Sequence, residues 1–292
     1  LNNTKRALFL ITEESFHPTY LIVDWLLASS GSPEFRGILI RGQHSEEKDR
    51  VHRSLASKTL SNEDKIQLLR GVYGRISDAE QEMIDLKGFP KPFDSFNSSI
   101  KYIGYDINAL SIQSWVEQQT GYYDEITFFI FLDVIMAPWW LSNDKVSVIN
   151  AHSAVLPFAR GMNAIENMAY LGDSYKFQEA AGASIHYIDH NIDTGPLIQT
   201  ARLNNSLSYH SIGQVKAASY FAAFDLLISH AKLMARNTHL SFVGITPNHT
   251  GPLFLQKNYT AEVESRAKKN YLKMKQEHSN KAALRQNLTI KK

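Results

Sequence analysis

RALFLITEESFHPTYLIVDWLLASSGSPEFRGILIRG, residues 6–42, carries two short apolar runs, RALFLIT (6–12) and FRGILIRG (35–42), on either side of a helical pattern, LIVDWLLAS (21–29). Strand, helix and strand in so short a span make a βαβ unit, which favours a parallel sheet. The expected fold class is therefore α/β: an open, mostly parallel twisted sheet flanked by helices. The turn between the first strand and its helix, TEESFH (12–17), holds no glycine. A Gly-rich nucleotide-binding turn would belong there, and it is absent.

Working outward, residues 43–99 break the alternation. HSEEKDRVHRSLASKT (44–59) and the stretch after it are polar and mostly helical in period, and GFPKPFDSF (88–96) is a proline-punctuated loop. This reads as a helical insertion, either a cap over the active-site edge or a surface elaboration. IKYIGYD (100–106) resumes as the third strand, Asn108 opens a helix, and EITFFIFLDVI (125–135) is a buried strand stopped by Pro138. The next strand ends at Ser147–Asn150, and Met162–Leu171 is a helix closed by Gly172. SIHYID (184–189) and PLIQTARL (196–203) are strands around a loop, and His210 to about Arg236 is a long amphipathic helix. FVGITP (242–247) and GPLFLQKNYT (251–260) read as extended, and the lysine-rich tail from Arg266 is expected to pack lightly or fray.

Composition bounds the class. A chain of 292 residues can bury one substantial core, or one core with a small appendage. A hydrophobic content of 43%, a charged content of 21% and a formal charge of +2 are ordinary for a globular protein and give no reason to expect nucleic acid. No apolar run reaches the length of a membrane span; TFFIFLDVIM (127–136) is interrupted by Asp133. No basic-then-apolar leader is seen, so the expected location is cytoplasmic. The absence of cysteine excludes disulfides, zinc-thiolate sites and cysteine nucleophiles.

The chemistry concentrates in VINAHSAVLPFARGMNAIENMAYLGD (148–173) and GASIHYIDHNIDTGPLI (182–198). An amide (Asn150), an imidazole (His152) and a carboxylate (Asp193) stand at the ends of apolar runs, each beside a turn signal. Transfer of a one-carbon acyl group to an amine needs such a set: an oxyanion donor, a group of near-neutral pKa, and a carboxylate that sets its charge. His186 and His190 lie near Asp189 and Asp193, but a strand does not bring i, i+4 ligands to one face, so no metal is expected and His186 reads as structural. Trp139 and Trp140 read as core or pocket wall.

Asn150-x-His152, Leu156-Pro157, Arg160-Gly161 and Ile192-Asp193-Thr194-Gly195-Pro196, in that order, resemble the signature of the folate-dependent formyltransferase family. The resemblance covers roughly residues 5–42 and 100–235. It implies a Rossmann-like catalytic domain over 1–236 with a C-terminal extension at 237–292. It further implies 10-formyltetrahydrofolate as co-substrate, and Asn150, His152 and Asp193 as the catalytic trio. Carried over in the same way, Ile135, Met136 and Ala137, with Asp189 and Ile192, contact the folate. Asp133 stands where relatives usually carry a neutral residue, and Ala154 where they usually carry serine.

In ribonucleotide-using relatives the first turn grips a phosphate; the two glutamates of TEESFH argue against that mode. Residues 237–292 are too few for the β-barrel domain of the tRNA-directed relatives. The expected acceptor is a small-molecule amine, with a lean toward N5-hydroxyornithine of siderophore biosynthesis. The alternatives are a nucleotide-linked amino sugar, a formyl-folate hydrolase, and a folate-binding protein without turnover. A homodimer is compatible with the resemblance.

Overall fold

The computed structural model describes residues 5–93, 99–237 and 242–289. Its elements run β1 (Arg6–Glu13), α1 (Pro18–Ser29), β2 (Phe35–Arg41), α2 (Glu46–Ser54), α3 (Asn62–Tyr73), α4 (Asp78–Lys87), β3 (Ile100–Tyr102), α5 (Leu110–Tyr122), β4 (Glu125–Ile130) and β5 (Val146–His152). They continue through β6 (Arg160–Gly161), α6 (Ala164–Leu171), α7 (Ser174–Ala180), β7 (Gly182–Tyr187), β8 (Leu197–Arg202), α8 (Ile212–Arg236), β9 (Leu253–Phe254) and α9 (Ala261–Thr289). Seven strands form one sheet in the order β3-β2-β1-β4-β5-β7-β8. Strands β1 to β5 are mutually parallel, whereas β7 runs antiparallel to both β5 and β8. A second, two-stranded sheet joins β6 to β9.

β1 is apolar at consecutive positions because both faces of the sheet are covered. Leu8 and Leu10 pack toward α1 and α8 with Trp25, Phe129 and Phe224. Ala7, Phe9 and Ile11 pack the other way, with Ile112 and Val116 of α5 and with Trp140. The strand order reverses between β1 and β4, and in open α/β sheets the crevice at the carboxyl ends of such a pair is where ligands bind. Glu13 ends β1 there and Ile130 ends β4.

Three expectations change. EITFFIFLDVI is a strand only to Ile130. Beyond it Arg41 binds Asp133 at 2.6 Å and draws the chain over the end of β2, so 131–137 becomes a loop. Asn108 does not open α5, which starts at Leu110; its side chain reaches across to that loop instead. The tail does not fray after Arg266. Ala267, Tyr271 and Met274 are buried against α6, and the Tyr271 hydroxyl donates to the carbonyls of Ser206 and Tyr209 at 3.1 and 2.7 Å.

The 43–99 insertion contributes α2, α3 and α4, and α4 lies along α8. Ser61 and Ser77 start α3 and α4 with reciprocal capping boxes, which satisfy backbone N–H groups at each helix start. Residues 94–96 of the proline-punctuated loop fall outside the described residues. Among the described residues no helix is long and apolar enough to cross a membrane.

Candidate active site

Asn150 and His152 are alternate residues at the end of β5, so their side chains leave the same face. The antiparallel register sets His186 opposite Asn150 and Ser184 opposite His152. Buried Ser184 fixes the turn after β5: its hydroxyl accepts from Leu156 N at 2.8 Å and donates to Ala154 O at 3.0 Å. Ala154, where a serine hydroxyl was missing from the sequence pattern, is itself fully buried.

Asp193 is the hub. Its Oδ2 accepts from Gly161 N at 2.7 Å and lies 3.5 Å from His152 Nδ1. Its Oδ1 lies 3.4 Å from His186 Nε2 and 3.5 Å from Asn150 Nδ2. Burial pushes the Asp193 carboxyl upward, but the His152 and His186 imidazoles and the Gly161 N–H outweigh it and hold the group well below the usual carboxylate range. Asp193 also sits at φ +52, a left-handed conformation uncommon for a residue with a side chain. Strain of this kind persists where surrounding bonds over-determine it, and it clusters at functional sites.

His152 is buried, with Nε2 at 3.1 Å from Ala159 O and Nδ1 facing the Asp193 carboxylate. Both ring nitrogens therefore face oxygen atoms. His186 Nδ1 donates to Tyr187 O at 2.8 Å, which leaves Nε2 toward Asp193 and Asn150.

The motif residues around the trio supply shape. Arg160 Nη1 donates to Ile192 O and its Nε to Gly251 O, both at 3.2 Å. Gly161 has φ +82, and a Cβ there would stand 2.0 Å from Phe254 O, so only glycine lets β9 approach. In the Asp193 loop a Cβ on Gly195 would stand 1.9 Å from Tyr187 O.

A cavity of about 530 Å³ opens over these groups. One end is apolar, walled by Leu132, Val134, Met136 and Ile188; the other is polar, with Glu13, His17, Lys216, Tyr220 and Gln256. Ile135, Met136, Asp189 and Ile192 all line it. Ala137 does not line it: its N–H donates to Asn108 Oδ1 at 2.8 Å, while Asn108 Nδ2 donates to Ile135 O at 3.0 Å. Asn108 thus pins the 131–137 loop. Asp189 accepts the Thr194 hydroxyl at 2.8 Å and braces the Asp193 turn.

The two glutamates of the first turn are engaged by cations, Glu13 with Arg41 at 2.9 Å and Glu14 with Lys48 at 3.1 Å. Burial, reinforced by the Asp133 charge, raises the Glu13 carboxyl above its ordinary value against the opposing pull of His17 and Arg41. Among the described residues, none that lines the cavity belongs to 43–99; Glu80 of the insertion sits 3.2 Å from His17 Nδ1, which does line it.

Residues 124–215, which span β4, β5, the Asp193 loop and the start of α8, match the family model described as formyl transferase. Over those residues the chain is similar to the formyl transferase family. No curated protein sequence matches it. Its fold is that of a 4-N formyltransferase from Francisella tularensis (16% identical, TM-score 0.52, covering 92% of this chain and 88% of that one). It is also that of a sugar N-formyltransferase from Shewanella (11% identical, TM-score 0.53, covering 91% and 88%). A third solved structure, an uncharacterised protein of Mycobacterium tuberculosis, is 18% identical with a TM-score of 0.50, covering 91% and 87%.

The trio read from the sequence converges on one point. His186 joins it, although it read as structural. The signal that could have found it is the alternation of Ser184 and His186 with buried Ala183 and Ile185 on β7. His17, Lys216, Tyr220 and Gln256 were not singled out, since they come from α1, α8 and the C-terminal stretch and meet only in the fold.

Proposed function

We propose that this formyltransferase moves a formyl group from 10-formyltetrahydrofolate to the amine of an amino sugar. The observation that carries the reading is the convergence of Asn150, His152 and His186 on the Asp193 carboxylate, beside a cavity lined by both an apolar cluster and polar side chains. The volume lies within the range of small-molecule and cofactor sites. The apolar end suits a flat heteroaromatic ring, with Ile135, Met136, Asp189 and Ile192 against it; Ala137 acts through its bond to Asn108.

When bound, 10-formyltetrahydrofolate supplies the carbon that the amine attacks. Asn150 Nδ2 offers an N–H to an oxygen gaining negative charge; loss of one such donor costs roughly 2.7–4 kcal/mol of barrier. An N–H at His152 Nδ1 would face Asp193 Oδ2. The carboxylate and the Gly161 N–H fix that ring, so orientation does not have to be recovered at each turnover.

The acceptor departs from the lean toward N5-hydroxyornithine. An amino acid brings a carboxylate and an ammonium, which need unpaired partners of opposite charge. At the polar end the two basic side chains, His17 and Lys216, already face Glu80 and Glu166, and Glu13 is held by Arg41. Hydroxyl groups fit such a surface better, because they bond to paired groups without adding charge. The likeness in fold to a sugar N-formyltransferase from Shewanella supports the same class.

The test is a panel of amines incubated with 10-formyltetrahydrofolate, following tetrahydrofolate release together with the mass of the product. Release that depends on an amino sugar and yields one formylated product is expected. Release without any amine would replace this reading with a hydrolase. A second expectation concerns the loop. Asn108→Ala removes two hydrogen bonds and should weaken folate affinity about tenfold, since each net bond contributes about 0.5–1.5 kcal/mol. The folate Kd from a fluorescence titration decides; an unchanged value would mean the loop is held without Asn108.

A further inference from the structure

A second cavity, of about 230 Å³, lies on the far side of two side chains that also line the first, Asn163 and Lys216. It is bounded by α3–α4 residues such as Arg75 and Ala79, by Gly213 of α8, and by Tyr259 beyond β9. From this arrangement we infer that it is a distal subsite for the acceptor, which takes an uncharged, hydroxyl-bearing ring attached to the amine-bearing sugar. The inference rests on formyl transfer to a sugar amine in the first cavity.

The dividing wall is built for something other than helix stability. Asn163 is the N-cap of α6, a position where asparagine ordinarily accepts a backbone N–H of the first turn. Here it makes no such bond and stands at φ +50. Its Oδ1 instead accepts from Lys216 Nζ at 3.0 Å, and its Nδ2 donates to Gln256 Oε1 at 2.8 Å. Lys216 turns in the same way to Glu166 at 2.5 Å. A relay of side-chain bonds, Glu166–Lys216–Asn163–Gln256, therefore runs along the border of both cavities.

The charges around the second cavity define what it accepts. Lys216 faces Glu166, Lys268 faces Asp78 at 2.6 Å and Glu264 at 3.0 Å, and Arg75 faces Glu264 at 3.7 Å. Each of these cations has a carboxylate, so a phosphate would enter without an unpaired counter-charge, whereas hydroxyl groups exchange bonds with paired ions at little cost. Glu166 lines the cavity, and its Oε2 is buried without a hydrogen-bond donor. One pyranose or ribose ring with part of its linkage suits the volume. A second sugar unit carries this chemistry, whereas the nucleoside of a nucleotide-linked sugar would bring its pyrophosphate among charges that are already paired.

The sequence provides a clean test, because it has no cysteine. Tyr259→Cys places a single thiol in the second cavity and outside the first, and a trifluoromethyl tag on it reports occupancy by fluorine NMR. Arg75→Cys, at a side chain 74% exposed on the rim, is an alternative attachment if the first variant folds poorly. The probes are glucosamine, the β-linked disaccharide of glucosamine, UDP-glucosamine and pyrophosphate.

The disaccharide should shift the signal, with a Kd at least about tenfold below that of glucosamine, while 10-formyltetrahydrofolate leaves it unmoved. UDP-glucosamine binding tighter than the disaccharide would overturn the assignment to an uncharged ring. A bulky maleimide on the same cysteine should abolish the extended probe's advantage. Equal response to glucosamine, response to pyrophosphate alone, or silence to all probes would overturn the subsite. Tetrahydrofolate release by the untagged protein is read separately. Its failure with every sugar would overturn the formyl-transfer reading instead.

Discussion

Replacing Asp193 by asparagine is expected to lower turnover about 10³-fold while leaving folate affinity within about twofold, in line with general acid–base contributions of roughly 10²–10⁴. Asparagine keeps the shape but loses the charge and one acceptor. The carboxylate oxygens face Gly161 N–H and His152 on one side, His186 and Asn150 on the other. An amide must turn its NH₂ toward one of these pairs and so opposes a donor with a donor. The imidazole then loses the carboxylate that faces its Nδ1. The kcat of the variant, measured beside its folate Kd, decides the point; unchanged turnover would remove Asp193 from the mechanism.

The same residue gives a pH signature. Its folded-state pKa lies below the unfolded value of about 3.9. Its stabilising contribution is therefore fully present above about pH 4 and is lost as acid protonates it through the lower folded-state pKa. Urea denaturation at pH 7 and near pH 3 should show a smaller loss in Asp193→Asn than in the unmodified chain. An equal acid loss in both would mean that other carboxylates dominate.

The parts of the fold that were legible in sequence are those set by local pattern. Two apolar runs around a helix gave β1, α1 and β2, since strands covered on both faces cannot alternate. Asn150 and His152 were legible because a strand end followed by a turn fixes both on one face. His186 was not, since its place opposite Asn150 depends on the register of two strands separated by the α6–α7 excursion. The 131–137 loop was misread as strand because its apolar composition is real, and only the long-range Arg41–Asp133 pair shows that the chain must leave the sheet. The tail was misread because Ala267, Tyr271 and Met274 form a single narrow stripe among lysines, and the partner that covers it, α6, lies a hundred residues away, as the Asn270–Tyr170 bond records.

The polar end of the cavity was the least legible part, and it carries the other large expected effect. The Lys216 side chain is only 15% exposed, and desolvation alone would pull its pKa down; the Glu166 carboxylate more than reverses this and keeps the lysine charged. Glu166→Ala should cost about 3–5 kcal/mol of stability, the usual consequence of leaving a buried charge without its partner. Lys216→Met placed on top of it removes the orphaned ion and leaves an apolar side chain of similar volume, so the double variant should recover most of the loss. That non-additivity is what separates a buried ion pair from two independent contacts. Urea midpoints for the two single variants and the double variant complete the cycle. A Glu166→Ala cost below about 1 kcal/mol, or a double variant no better than Glu166→Ala, would mean that Lys216 finds water or sheds its proton. The relay along the two cavities would then not be what fixes the acceptor end.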